Sequence, residues 1–203
     1  MQNRLLPRGY TQVKYVESNG NAYIKTGLLP FDGIGFDVTF LSKSAISGGS
    51  GYGAIFGGRL RSKENDFQLT TYASNMTTFP TGTLRYGNVD YQAGIIPQTK
   101  QQIKLYGHTL TRPDGTTVTI NAFNFNNTCQ IALFLLNQND SKFYQGGKGC
   151  RIYDLKFFDA NGTKIKHYIP CYRNSDKKAG MYEIVTGEFL SSPATEQLII
   201  PPT

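Results

Sequence analysis

The residues of this chain that could serve as acid, base, nucleophile or metal ligand are few, and their spacing matches no catalytic pattern. Hydrolysis of a glycoside needs two carboxylates facing each other across a cleft, about 5–9 Å apart. Here the acidic residues fall singly and no closely spaced motif of the ExDxxE kind occurs; Glu64-Asn65-Asp66 stands where a loop meets a strand. Acyl transfer needs a nucleophile, a base and a group that orients the base. His108 and His167 are the two histidines, and no serine lies in a GxSxG setting. His108 falls beside a predicted hairpin and reads as a surface residue. His167 alternates with Ile165 and Ile169 and reads as an inward or edge position. The Gly-rich stretches 48–51 and 146–149 lack the strand–GxxxxGK(S/T)–helix setting of a phosphate loop. The pattern predicts a protein that is not an enzyme and needs no cofactor.

Metal and thiol chemistry fare no better. Asp90, Asp114 and Asp140 are loop positions suited to one bound Ca²⁺, but a lone loop Asp ordinarily closes a turn, so no metal site is assigned. Cys129, Cys150 and Cys171 form neither a paired framework nor a zinc spacing, and are expected to be buried free thiols. What remains is binding chemistry. Tyr72, Tyr86 and Tyr91 lie near loops or polar faces and are the candidate contacts for a sugar ring. The absence of Trp makes this a weaker platform than most lectins use.

The formal charge of +7 is concentrated near the two ends of the chain. Residues 142–188 hold nine Lys and Arg against five Asp and Glu, and residues 1–26 hold four against one. Arg4, Arg8, Lys164, Lys166, Lys177 and Lys178 are the candidate residues for docking on an acidic protein shell. Lys177-Lys178 is the one adjacent basic pair, so no nucleic-acid partner is expected. The opening MQNRLLPRGYTQ lacks the apolar core of a secretory leader, and no apolar run approaches the ~20 residues of a membrane span. Synthesis in a reducing cytoplasm without membrane insertion is the expectation.

These residues must be positioned by strands. Aromatics reach 13%, with 13 Tyr, 13 Phe and 22 Gly, while charged residues are 17%, a composition that suits pleated surfaces joined by tight turns. Period-two alternation marks 36–41, 67–72, 102–106, 116–121, 151–158 and 164–169. In the last two, Tyr153, Leu155 and Phe157 are placed inward, as are Ile165, His167 and Ile169. Asp114-Gly115 and Asn161-Gly162 supply hairpin turns, and residues 42–53 and 73–97 read as irregular loops. No window of twelve residues keeps a helical period. The expectation is one all-β domain over residues 1–203, built as a two-sheet antiparallel sandwich.

Two stretches carry a family resemblance. One is Leu6-Pro7-Arg8-Gly9-Tyr10-Thr11 through Tyr15, Ser18 and Gly20 to Gly27. The other runs from Arg151-Ile152-Tyr153 to Ala179-Gly180-Met181-Tyr182-Glu183 and Thr186-Gly187-Glu188-Phe189. Together they resemble the laminin-G-like, concanavalin A-like domains of phage structural proteins and gut-bacterial surface proteins. The resemblance covers about the first 27 and last 55 residues. It implies a jelly-roll sandwich whose first and last segments lie together, with Tyr10, Tyr15, Tyr153 and Tyr182 packed inside. It implies an adhesive or assembly module and no enzyme. The Met start, missing leader, thiols without a pairing pattern and domain-filling length favour a virion protein that decorates a capsid or tail, partnered by shell or tail proteins, with host-surface polysaccharide as a further candidate partner. The alternative the resemblance leaves open is a glycan-binding adhesin of a gut bacterium, with a glycoside-active enzyme as the remotest reading.

Overall fold

The computed structural model describes residues 6–43, 53–60, 64–71, 82–126, 128–140 and 149–202, together with the backbone of 142–144. Within these residues the chain is all strand and turn, with no helix. In chain order the strands are β1 (Tyr10–Gln12), β2 (Val16–Ser18), β3 (Ile24–Lys25), β4 (Gly35–Ser42), β5 (Ala54–Arg59) and β6 (Asp66–Thr70). They continue with β7 (Thr83–Gly87), β8 (Val89–Gln92), β9 (Gln101–Tyr106), β10 (Thr109–Thr111), β11 (Thr117–Thr119) and β12 (Ala132–Leu133). The last are β13 (Leu136–Gln138), β14 (Lys142–Tyr144), β15 (Cys150–Phe158), β16 (Lys164–Arg173), β17 (Ala179–Glu183) and β18 (Glu188–Ser191).

The first sheet runs β11-β10-β9-β4-β15-β16-β17-β18, and the second runs β14-β13-β5-β6-β7-β8. Strand β12 bridges β3 to β5 in the second sheet. Every described pairing is antiparallel except β13 with β5. The two sheets face each other across one apolar layer. Phe36, Val38, Ile103, Leu105, Leu155 and Phe157 come from the first, and Phe56, Phe67, Leu69, Leu84 and Tyr86 from the second. Rings meet across the layer at edge-to-face angles, Phe36 with Phe56 at 5.0 Å and Phe56 with Phe157 at 5.5 Å. The fold is a β-sandwich, as the alternation predicts.

The two motif stretches meet at a fork in the first sheet. Strands β15 and β16 pair over Leu155–Phe158 and Lys164–Tyr168 and then diverge. Strand β2 lies along the freed half of β15, Val16 opposite Ile152, while β1 lies along the freed half of β16, Tyr10 opposite Arg173. Pro170, which has no N–H to offer, sits where they part, and its carbonyl accepts from Val13 N at 3.0 Å. Over the outer face of this region Leu6, Ile169, Cys171 and Tyr182 form a second, small core. Tyr10 stacks on Tyr182 at 4.8 Å and on Phe189 at 5.2 Å. Tyr15 meets Tyr153 at 5.4 Å. The motif tyrosines therefore pack on the outer face of the first sheet, not between the sheets as expected.

The cause is two β-bulges. One, between Ile152 and Asp154, turns Tyr153 outward while Ile152 and Leu155 stay in the core. The other, between Phe157 and Phe158, reverses the expected faces of β16, so Tyr168 enters the main core and Ile169 the outer one. An added residue flips every side chain beyond it, and alternation alone carries no mark of the position. A strand was also missed. Gly107 and His108, both at positive φ, close a tight turn from β9 into β10, and the Arg112–Gly115 turn then joins β10 to β11.

All three cysteines are buried thiols. Burial pushes Cys150 up to about 12, with the Glu17 carboxylate adding to it, and burial likewise pushes Cys171 up to about 12. A thiol so held is neutral and unreactive. Labelling of the unreduced protein should therefore find three thiols in denaturant and slow reaction in the native state. A count of one in denaturant would mean that two are joined.

Candidate functional site

The sandwich gives β6, β7 and β8 one face in the core and one face outside it. Phe67, Leu69, Leu84 and Tyr86 fill the core, so Asp66, Gln68, Thr70, Thr83, Arg85, Asp90 and Gln92 project from the other side. Register sets these polar residues in rows: Gln68 opposite Arg85, Thr70 opposite Thr83, Arg85 opposite Asp90 and Thr83 opposite Gln92. Gly57 on β5 borders the rows, and a side chain there would strike Gln68 Cβ at 2.7 Å.

Arg85 is the centre of the lattice. It donates from Nε to Asp90 Oδ1 and from Nη2 to Asp90 Oδ2, each at 2.5 Å, and from Nη1 to Asp66 Oδ2 at 3.2 Å. Burial would lower the guanidinium pKa, but the bonds and charges of Asp90 and Asp66 outweigh it and raise the value. One guanidinium thus holds two carboxylates, and the fork is fixed in the plane of the sheet. Exposure rises outward along the row, from 0% for the Asp66 side chain through 7% for Arg85 to 21% for Asp90. Beside it, Gln68 is 4% and Thr83 5% exposed, and neither Gln68 Oε1 nor Thr83 Oγ1 has a hydrogen-bond partner. A buried polar atom without a partner costs about 1–3 kcal/mol, which a bound hydroxyl or water would relieve. The two oxygens can each take one donor, and the part-exposed side of the row is its Asp90–Gln92 edge. It offers no proton-transfer pair, since its two carboxylates are both held by Arg85.

The sequence-predicted contacts fall elsewhere. Tyr86 is 1% exposed and its ring lies in the core against Phe67 and Phe125, so it cannot stack on a sugar. Its hydroxyl accepts from Gly33 N at 2.8 Å and donates to Asp32 Oδ1 at 3.1 Å. Asp32 also takes Phe123 N and His108 Nε2, which ties His108 to a loop latch. Tyr91, opposite Leu84, is half-buried against the same core, and its hydroxyl accepts from Asn121 N at 2.9 Å. Tyr72 lies outside the described residues, as do Arg4, most of the predicted 42–53 loop and residues 73–81 of the other. The error has a readable cause. Thr83-Leu84-Arg85-Tyr86 alternates in period two, but the surrounding Gly and Pro placed it within a loop.

The docking residues do not share one face. Lys164 opens β16 and Lys177 and Lys178 follow its end, and ten extended residues separate these by roughly 30 Å. Lys166 is not a surface charge, because its ammonium lies 3.3 Å from the buried Glu183 carboxylate. Arg8 joins the Lys177 end, where Gly9 O accepts from Asn174 N at 2.8 Å, and Lys177 lies over the Tyr172 ring at 5.0 Å. His167 is outward, its Nε2 2.7 Å from Asp154 Oδ1. The three loop aspartates stay apart. Asp90 holds Arg85, Asp114 accepts from Thr116 N and Oγ1, and Asp140 accepts from Asn137 Nδ2. Among the described residues no group of three His, Cys, Asp or Glu could hold a metal, and no helix is long and apolar enough to cross a membrane.

Compared with protein-family models, with curated proteins and with solved structures, the chain matches none.

Proposed function

We propose that this chain is a non-catalytic binding and assembly domain of a bacteriophage particle, with a jelly-roll wiring, and that it offers the part-exposed β8 edge of the β6–β8 lattice, at Asp90 and Gln92, to host-surface polysaccharide. The observation that carries the reading is the pair of unpartnered oxygens, Gln68 Oε1 and Thr83 Oγ1, set in a lattice whose two carboxylates are held by Arg85. Neutral sugars recognise such surfaces through hydroxyl groups that both donate and accept. The ligand enters from the β8 edge, where Asp90 and Gln92 meet solvent. The phage setting is supported by the resemblance of the two terminal motifs, whose residues pack on one another at the fork. Arg8, Lys177 and Lys178 gather at one end of β16 and suit docking on an acidic shell, in a contact that weakens with salt.

A glycan array and mass spectrometry of purified particles test the two halves separately. The wild type should bind a neutral polysaccharide, and Thr83→Val, which keeps the shape and removes the hydroxyl, should weaken it roughly tenfold, or 1.4 kcal/mol. Unchanged binding by Thr83→Val would remove this face from the proposal. Glycan binding by a protein absent from particles would replace the virion role with that of a free adhesin.

A further inference from the structure

We infer that a groove on the first sheet, which touches the end of β8 through Arg112 but is lined by other residues than the β6–β8 lattice, recognises the carboxylate or sulfate groups of an acidic glycan. The groove lies between the 96–100 turn, the outer side of β9 and the hairpin that follows β10, and has a volume of about 480 Å³. That is within the range of small-ligand clefts. Three cations line it, Lys100, Lys104 and Arg112, and no acidic residue does.

Each cation is held in place from outside the groove. Lys100 Nζ lies 4.5 Å above the Tyr153 ring, so a cation–π contact positions the ammonium at the rim. Arg112 donates from Nε to Gln92 O at 2.9 Å, which fixes the guanidinium plane while its other N–H groups make no hydrogen bond among the described residues. Lys104 is loosely paired, 3.9 Å from Asp37 Oδ2, and that carboxylate is already engaged by Gln102 Nε2 at 2.6 Å. The other nearby acid, Asp114, is turned into its own loop by Thr116. The wall is rigid as well. Gln101 accepts from Ile96 N at 2.9 Å and donates to Ile96 O at 2.8 Å, clamping the turn.

The rest of the lining chooses the ligand. Thr99, Thr111 and Gln102 interleave the cations with hydroxyl and amide groups, matching a pyranose that carries a charged substituent among hydroxyls. Ile96 and Pro113 are the apolar members, too little surface to seat the side chains of an acidic peptide. This groove and the neutral-sugar face stand or fall separately.

Titration calorimetry of the full chain tests it, with oligogalacturonate and a heparin fragment as probes and a neutral dextran and polyglutamate as controls. One or both anionic sugars should bind, with affinity falling as salt rises, and Lys100→Gln with Lys104→Gln should weaken binding by roughly tenfold or more. Both lysines are surface residues, so an unchanged melting temperature separates lost recognition from lost fold. Binding of the uronate alone assigns the carboxylate, and of heparin alone the sulfate. Failure of both probes, equal binding by the double variant, or polyglutamate binding as tight as either sugar would each overturn the inference.

Discussion

Phe157→Ala should cost about 3–5 kcal/mol, the range for emptying an aromatic site in a packed core. The ring is fully buried, edge-on to Phe56 across the sandwich at 5.5 Å and to Tyr168 beside it at 6.3 Å. It therefore ties both sheets and the first two strands of the fork to one spot. The adjacent Phe158 points outward onto Tyr106 at 4.8 Å and is part-exposed. Phe158→Ala should cost distinctly less, since it leaves no closed cavity. Urea unfolding of both variants makes the comparison. A Phe157 loss below about 1 kcal/mol, or one equal to that of Phe158, would mean the face assignment of β15 is wrong.

Glu183→Gln should change the pH dependence of stability strongly. The carboxylate is fully buried and accepts from His167 N at 3.0 Å, Val185 N at 2.8 Å and Thr186 N at 2.9 Å, as well as from the Thr186 hydroxyl and Lys166. Burial raises its pKa, but the Thr186 hydroxyl and the three backbone N–H groups outweigh it and hold the value at about 2, against 4.5 for a free Glu. A carboxylate depressed on folding stabilises the native state above its unfolded value, and that stability disappears as pH falls through the folded value. The gap corresponds to about 3 kcal/mol at neutral pH. Glutamine imitates the protonated form. Wild-type and variant stabilities should thus differ by about that much at pH 7 and converge as pH falls from 4.5 toward 2. Glu17, Asp154 and Asp32 also titrate low but are shared by both proteins and cancel. Parallel curves would show that Glu183 carries no special acid linkage.

The strand pattern was the legible part of the chain. Phe36, Val38 and Phe40 share one face because burial on one side leaves a period of two, and β4 is found where that pattern stands. The β6 pattern was equally clear, and its polar half, Gln68 and Thr70, is half of the candidate site. The other half was hidden, because Leu84 and Tyr86 sit among turn residues and their alternation is only two steps long. Bulges were invisible for a different reason. Tyr153 and Ile165 look like ordinary members of alternating runs, and only the neighbouring strand decides which of them is extra. The Glu183 site shows motif and geometry agreeing. Gly180 has no room for a side chain, whose Cβ would lie 2.3 Å from Leu190 O, and Gly187 turns at a φ of +77° to let the hairpin close around the carboxylate. The groove at Lys100, Lys104 and Arg112 could not be read at all, because residues 96–104 and the 111–115 segment face each other only through the β9–β10 register.

The fork in the first sheet also constrains how the chain is made. Strands β1 and β2 find their partners more than 130 positions away, Glu17 opposite Arg151, and Glu17 exchanges a further pair of backbone bonds with Ile199 at 2.8 Å. None of these partners exists while the first two thirds of the chain are leaving the ribosome. At a synthesis rate of about 5–20 residues per second, the opening strands wait on the order of ten seconds with their N–H groups and tyrosines uncovered. Such distant pairings also place the domain among slow folders. The nascent chain is then open to chaperone capture, and late termination or truncation after β14 leaves the opening segment as a loose adhesive end.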